Sequence, residues 1–186
     1  AFICVLGILR AGAAYVNLNA LSPLEENIFV LQDRDAKYLF IHSNFESQLE
    51  EITNSVPKLV GSTGIDKRIK FSPPLIEWMA DFPTESPHIQ RSEDDLACLF
   101  STSGTTGRSK AAELTNKVIE TMIANANHAM PFTTTPVHLV AAPFTHAAGL
   151  ATLWLFPLGA TNVIIPRADP LEIMAAIEQH KVNVLF

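Results

Sequence analysis

Short apolar runs alternate with helical patterns along this chain, which predicts an α/β fold of mostly parallel sheet or sheets flanked by helices. The runs at 37–41, 95–100, 136–142 and 182–186 are bounded by turn formers, as buried strands are. Between them lie segments with helical start signals, at 22–34, 44–53, 116–130 and 169–180. No internal repeat is evident.

Taken in order, residues 2–11 read as an apolar helix ended by Gly12, followed by a strand over 13–18. Ser22 is the expected N-cap of the next helix. Pro23 fits its first turn, Glu25 and Glu26 favour the positive end of its dipole, and it runs to about Arg34. Residues 37–41 form a strand, Asn44 is expected to cap a helix over 45–53, and 59–61 a short strand. Pro73, Pro74, Pro83 and Pro87 punctuate 61–94, a surface excursion with one short helix at 75–80. Ser92, Glu93, Asp94 and Asp95 make a charged turn; solvated acids are favoured there over a catalytic dyad. A helix over 116–130 leads to a strand over 136–142. The run 147–166 carries no charge and is long enough for a membrane span. Pro157 and Gly159 break it, so a buried helix, turn and strand are expected instead. Asp169 caps a helix over 170–180, where Leu171, Met174, Ile177 and Glu178 recur with helical periodicity.

With 186 residues the chain is large enough for one domain with a real core. Hydrophobic residues make up 48% and charged residues 17%, so either the core is large or some apolar surface meets a further part. The net charge of −6, without clustered Lys and Arg, argues against a nucleic-acid partner. Cys4 and Cys98 lie far apart in apolar runs and read as buried free thiols in a reducing, cytoplasmic setting. The six histidines show no metal-ligand spacing, so no protein-held metal is expected. Residues 1–9 are apolar, but no basic segment precedes them, which favours a helix over a signal peptide. The chain begins within a helix and ends within an apolar strand, the pattern expected of a piece of a longer protein.

The chemistry concentrates at Thr102, Ser103, Gly104, Thr105, Thr106 and Gly107, with Arg108 and Lys110 just beyond. Glycines let backbone N–H groups approach and converge on one point. Hydroxyls add donors, and Lys110 adds a charge that can follow phosphate oxygens. The string is not a Walker A loop, since Gly107 is followed by Arg-Ser-Lys. By composition alone an ordinary loop and a phosphate-binding loop both remain open.

The string resembles the signature loop of the adenylate-forming superfamily: acyl- and aryl-CoA synthetases, luciferases and peptide-synthetase adenylation domains. Their pattern is Thr-Ser-Gly-Thr-Thr-Gly-x-Pro-Lys-Gly, matched here except that Ser109 stands for proline and Ala111 for glycine. Residues 7–16 are similar to a second family segment, read as packing. Pro143, His146, Gly149 and Leu150 are similar to a third. The resemblance covers nearly the whole chain and is strongest to fatty-acyl or aryl CoA ligases. It implies that residues 1–186 are part of the family's N-terminal AMP-binding domain, whose C-terminal domain lies elsewhere. It implies ATP-dependent activation of a carboxylic acid to an acyl-adenylate, with Mg2+, followed by transfer to coenzyme A. Thr102, Ser103, Gly104, Thr105, Thr106, Gly107 and Lys110 would bind the ATP phosphates, and His146 and Gly149 would border the acyl pocket. No catalytic residue of the family falls within the chain, so these residues alone are expected to be inactive and to need the remainder of a parent chain. A non-catalytic nucleotide-binding module, suggested by Ser109, Ala111 and the missing half of the family's machinery, and an interaction module, suggested by the apolar content, are the alternatives.

Overall fold

The computed structural model describes residues 1–102, 108–145 and 147–185. The chain divides into two compact units, Ala1–Thr115 and Asn116–Phe186.

In the first unit, α1 (Phe2–Arg10) ends as expected at Gly12, which takes φ +76. The N–H of Ala13 donates to the Ile8 carbonyl and that of Gly12 to the Leu9 carbonyl. This paired reversal closes the helix and requires a residue at ease with positive φ. Strand β1 (Tyr15–Val16) is shorter than expected and runs parallel to β4 (Leu96–Thr102), which pairs antiparallel with β5 (Lys110–Thr115). The sheet order is β1-β4-β5. Arg91 ties the end of α1 to the start of β4, donating to the carbonyls of Leu9 (3.3 Å) and Leu96 (2.8 Å).

A second, parallel pair joins β2 (Tyr38–Ile41) to β3 (Gly61–Gly64). Against it pack α2 (Leu24–Asp33) and α3 (Leu49–Ser55), burying Leu31, Leu39, Ile41, Leu49, Ile52, Val56 and Ile69 as one core. Helix α4 (Leu75–Ala80) falls where expected, and its Trp78 meets Tyr38 and Phe40 at ring-centroid distances of 5.6 and 5.7 Å.

The structure departs from three local expectations. Ser22 does not cap α2: Pro23 occupies the N-cap, and its carbonyl receives the N–H groups of Glu26 and Asn27. Asn44 is not a cap either. A 3-10 turn (Ser43–Gln48) precedes α3, and His42 opens it by accepting the Asn44 N–H on Nδ1 at 3.2 Å. Strand β3 begins at Gly61 rather than spanning 59–61; Val60, just before it, donates its N–H to the Lys37 carbonyl at the start of the pairing with β2.

Asp66 closes that turn from outside. Its carboxylate accepts the Ser43 N–H (2.9 Å) and the Ser43 hydroxyl (2.5 Å), and His42 Nε2 lies 3.6 Å away. The Ser43 hydroxyl bond is the largest cause pulling the Asp66 pKa from 3.8 down to about 2. A carboxyl depressed on folding stabilises the protein above its unfolded pKa and loses that stabilisation as pH falls through the folded one. Asp66→Asn is therefore expected to melt below wild type at neutral pH. The gap should narrow below about pH 4 and close near about pH 2, as read from thermal melts against pH.

In the second unit, β6 (Val137–Val140) lies between β7 (Thr161–Ile164) and β8 (Val184–Leu185), parallel to both. Helices α5 (Asn116–Ala129), α6 (Ala147–Leu155) and α7 (Pro170–His180) complete it. The uncharged run 147–166 is α6, a 3-10 turn (Phe156–Leu158), Gly159 at φ +70, then β7. Among the described residues no helix is long and apolar enough to cross a membrane. Asp169 caps α7 as expected, accepting the N–H groups of Leu171 (2.9 Å) and Glu172 (3.2 Å) on Oδ1. The periodic residues of α7 do not form a buried face, however. Leu171 and Met174 are 76% and 66% exposed, and Ala176 is the buried residue of this helix. On β6, His138 is fully buried and shares a 2.9 Å hydrogen bond between Nδ1 and Asn162 Oδ1 on β7.

Candidate functional site

Strand β4 carries Ala97 and Cys98 into the interior, and its end emerges at the exposed Thr102. Strand β5 starts at Lys110, paired with Thr102, so residues 103–109 connect the two strands of a hairpin. Ser103, Gly104, Thr105, Thr106 and Gly107 lie outside the described residues. What the structure gives is the neck. The Thr102 hydroxyl donates to the Lys110 carbonyl at 3.3 Å, and the Ser109 hydroxyl to the Thr102 carbonyl at 3.4 Å. Lys110 is exposed, and Arg108 lies over the ring of Phe29 at 4.7 Å.

Helix α2 approaches this neck. Arg34, just past its end, is 7% exposed. Its Nη1 donates to Ser101 Oγ at 2.7 Å and its Nη2 to the Lys110 carbonyl at 3.3 Å. Burial lowers the Arg34 pKa, and Asp33, Glu26 and Cys98 oppose that shift. Arginine keeps its charge through such shifts, so a cation sits beneath the hairpin. Glu26, on the same helix, accepts the Ser109 N–H at 3.3 Å. Nothing in the sequence marks either residue as part of the site. An arginine closing a helix is ordinary dipole compensation, and a glutamate in a first turn is equally ordinary.

The strand below is chemically quiet. Cys4 and Cys98 are buried free thiols, as expected. Burial raises the Cys98 pKa, and the Tyr15 hydroxyl bond and the Arg34 charge oppose it. Burial also raises the pKa of Tyr15, and so does Cys98. Burial thus favours the neutral form of both groups.

The two departures from the family string have local explanations. Ala111 pairs with Ser101 inside β5 and is not among the residues at positive φ, so a glycine is not required there. Ser109 supplies an N–H that proline would lack, and Glu26 accepts it.

His146 lies outside the described residues. Gly149 sits in the first turn of α6, and a Cβ there would stand 2.1 Å from the Phe144 carbonyl oxygen. Packing alone therefore demands glycine at this position. Thr102 and Lys110 meet at the neck in the first unit; Gly149 belongs to the second.

At the neck the Thr102 and Ser109 hydroxyls and the Arg34 guanidinium are engaged with carbonyls and Ser101, and the exposed Lys110 ammonium is the group placed to follow phosphate oxygens. No group of three or more His, Cys, Asp or Glu side chains able to hold a metal occurs among the described residues. Magnesium needs no such cage beside a nucleotide, because phosphates supply most of its ligands.

The family model for AMP-binding enzymes matches residues 1–186. The chain belongs to that family. It is 30% identical over 98% of its length to a protein of the linear gramicidin synthase of Brevibacillus parabrevis, covering 2% of that protein. It is 28% identical over 99% of its length to 4-coumarate–CoA ligase-like 8 of Arabidopsis thaliana, covering 34%. ATP-bound MatB from Rhodopseudomonas palustris superposes with a TM-score of 0.82 at 28% identity, over 99% of this chain and 36% of that one. The chain thus spans about a third or less of these relatives. Acyl- and aryl-CoA ligases and adenylation domains both occur among its relatives, and its α/β fold, with mainly parallel pairing, is that of the family.

Proposed function

We propose that residues 1–186 form part of the N-terminal domain of an AMP-forming acid–thiol ligase and hold the triphosphate of ATP. In this reading Thr102, Ser103, Gly104, Thr105, Thr106 and Gly107 surround the β- and γ-phosphates, Lys110 adds charge at the rim, and Mg2+ is shared with the phosphates. The substrate carboxylate attacks the α-phosphorus; the bond to the bridging oxygen breaks and pyrophosphate leaves. Catalysis here is positioning and charge neutralisation, which a hydroxyl and N–H cradle supplies. A thiol, coenzyme A in the favoured version, then displaces AMP from the acyl carbon. His146 and Gly149 border the acyl group. Residues beyond these 186 supply the adenine, ribose and final catalytic contacts, so this stretch is inactive by itself, and the protein works in the cytoplasm.

The observation that carries this reading is the signature string placed between two strands locked in register at Thr102 and Lys110. The departures at Ser109 and Ala111, two of the features that suggest a pseudoenzyme, both fit the neck without strain, which supports the catalytic reading. The test is ATP–pyrophosphate exchange by the full-length protein with a panel of fatty and aryl acids. Acid-dependent exchange is expected; none with any acid, in a protein that still binds ATP, would favour the pseudoenzyme.

A further inference from the structure

Burying a cation is costly unless its surroundings repay it with hydrogen bonds. Arg34 is buried, yet it makes no carboxylate fork, and its Nε has no hydrogen-bond partner among the described residues. Its two terminal nitrogens instead reach the two strands of one hairpin: Ser101 on β4 and the first carbonyl of β5. The preceding turns of the same helix add Glu26 on the Ser109 N–H and Phe29 under Arg108. Three residues of α2 and its end thus converge on both sides of one neck. Packing alone does not ask for this, since an apolar side chain would fill the same space.

We propose that Arg34 is a positioning residue for the phosphate-binding connection, clamping β4 to β5 so that the residues between them meet a polyphosphate in one arrangement. It touches no phosphate itself; it acts through Ser101 and the Lys110 carbonyl. The inference rests on the ATP-binding reading above. A guanidinium fork suits the task, because it serves two acceptors at once in fixed geometry, which an ammonium cannot reproduce.

The test is titration calorimetry of the full-length protein with ATP, tripolyphosphate and AMP. Arg34→Met is expected to weaken ATP and tripolyphosphate binding roughly tenfold, as for loss of charge-assisted hydrogen bonds. AMP, which lacks the β- and γ-phosphates, should bind as to wild type, a selectivity that general damage to the fold would not give. Arg34→Lys should restore part of the loss. Ser101→Ala, which removes only the hydroxyl that accepts from Nη1, should weaken tripolyphosphate about threefold. The double variant should be no weaker than Arg34→Met alone, since both act on one contact. Unchanged tripolyphosphate affinity in Arg34→Met, equal loss for AMP, or additive losses in the double variant overturns the proposal. If Arg34→Met does not fold, Ser101→Ala decides: wild-type affinity there overturns it. Wild-type protein binding neither ATP nor tripolyphosphate sinks the ATP reading first, a different result from a variant that binds as wild type.

Discussion

Replacing Thr105 and Thr106 together with valine is expected to lower kcat/KM for ATP by about a hundredfold to a thousandfold, with little change in melting temperature. Valine keeps the branched shape of threonine and removes only the hydroxyl. Each hydrogen bond to a charged group contributes about 1.5–3 kcal/mol, so two lost from a phosphate amount to roughly 3–6 kcal/mol. Part of that is recovered by backbone N–H groups, which the substitution leaves in place. The measurement is ATP–pyrophosphate exchange by the full-length protein, with thermal melts alongside. A double variant within threefold of wild type would mean that these hydroxyls do not face the phosphates.

Gly149→Ala and Gly7→Ala should move stability in opposite directions. In a helix, alanine is ordinarily better than glycine by about 1 kcal/mol. At Gly7, within α1, an added Cβ meets nothing within 4 Å, so Gly7→Ala should gain that increment. At Gly149 the same methyl would lie 2.1 Å from the Phe144 carbonyl oxygen and 3.2 Å from its carbon. That obstacle is backbone, so helix and turn must part. We expect a loss of about 2–4 kcal/mol, a fall of roughly 5–10 °C in the melting temperature. Thermal unfolding of both variants checks this. A stabilised Gly149→Ala would show that the turn before α6 yields freely. Since packing suffices to explain this glycine, reduced activity in the variant would say nothing about an acyl pocket until folding is accounted for.

How much was legible depended on whether the deciding interaction is local. Gly12, Pro170 with Asp169, and Leu75–Ala80 behave as the sequence predicts because each is settled within one turn of chain. Ser22 and Asn44 look like good caps, but neighbours took the role. Pro23 comes between Ser22 and its helix, and His42 reaches the Asn44 N–H first. The periodicity of α7 suggests a buried stripe, yet burial depends on what covers a helix, and periodicity does not report that. Strand β5 had no assignment from sequence, since residues 111–115 carry no alternation; its partner β4 supplies the reason it is a strand. At the site, the string at 102–110 marks the connection plainly. Arg34 and Glu26 could not be found that way, because they reach the neck from 67 and 83 residues away.

The most direct test of the central claim is hydrogen–deuterium exchange of the full-length protein with and without MgATP, read by peptide. The account predicts slowed exchange in the peptide spanning residues 102–110, and the same slowing with magnesium tripolyphosphate in place of ATP. Saturating ATP that protects other peptides while leaving 102–110 unchanged would contradict it.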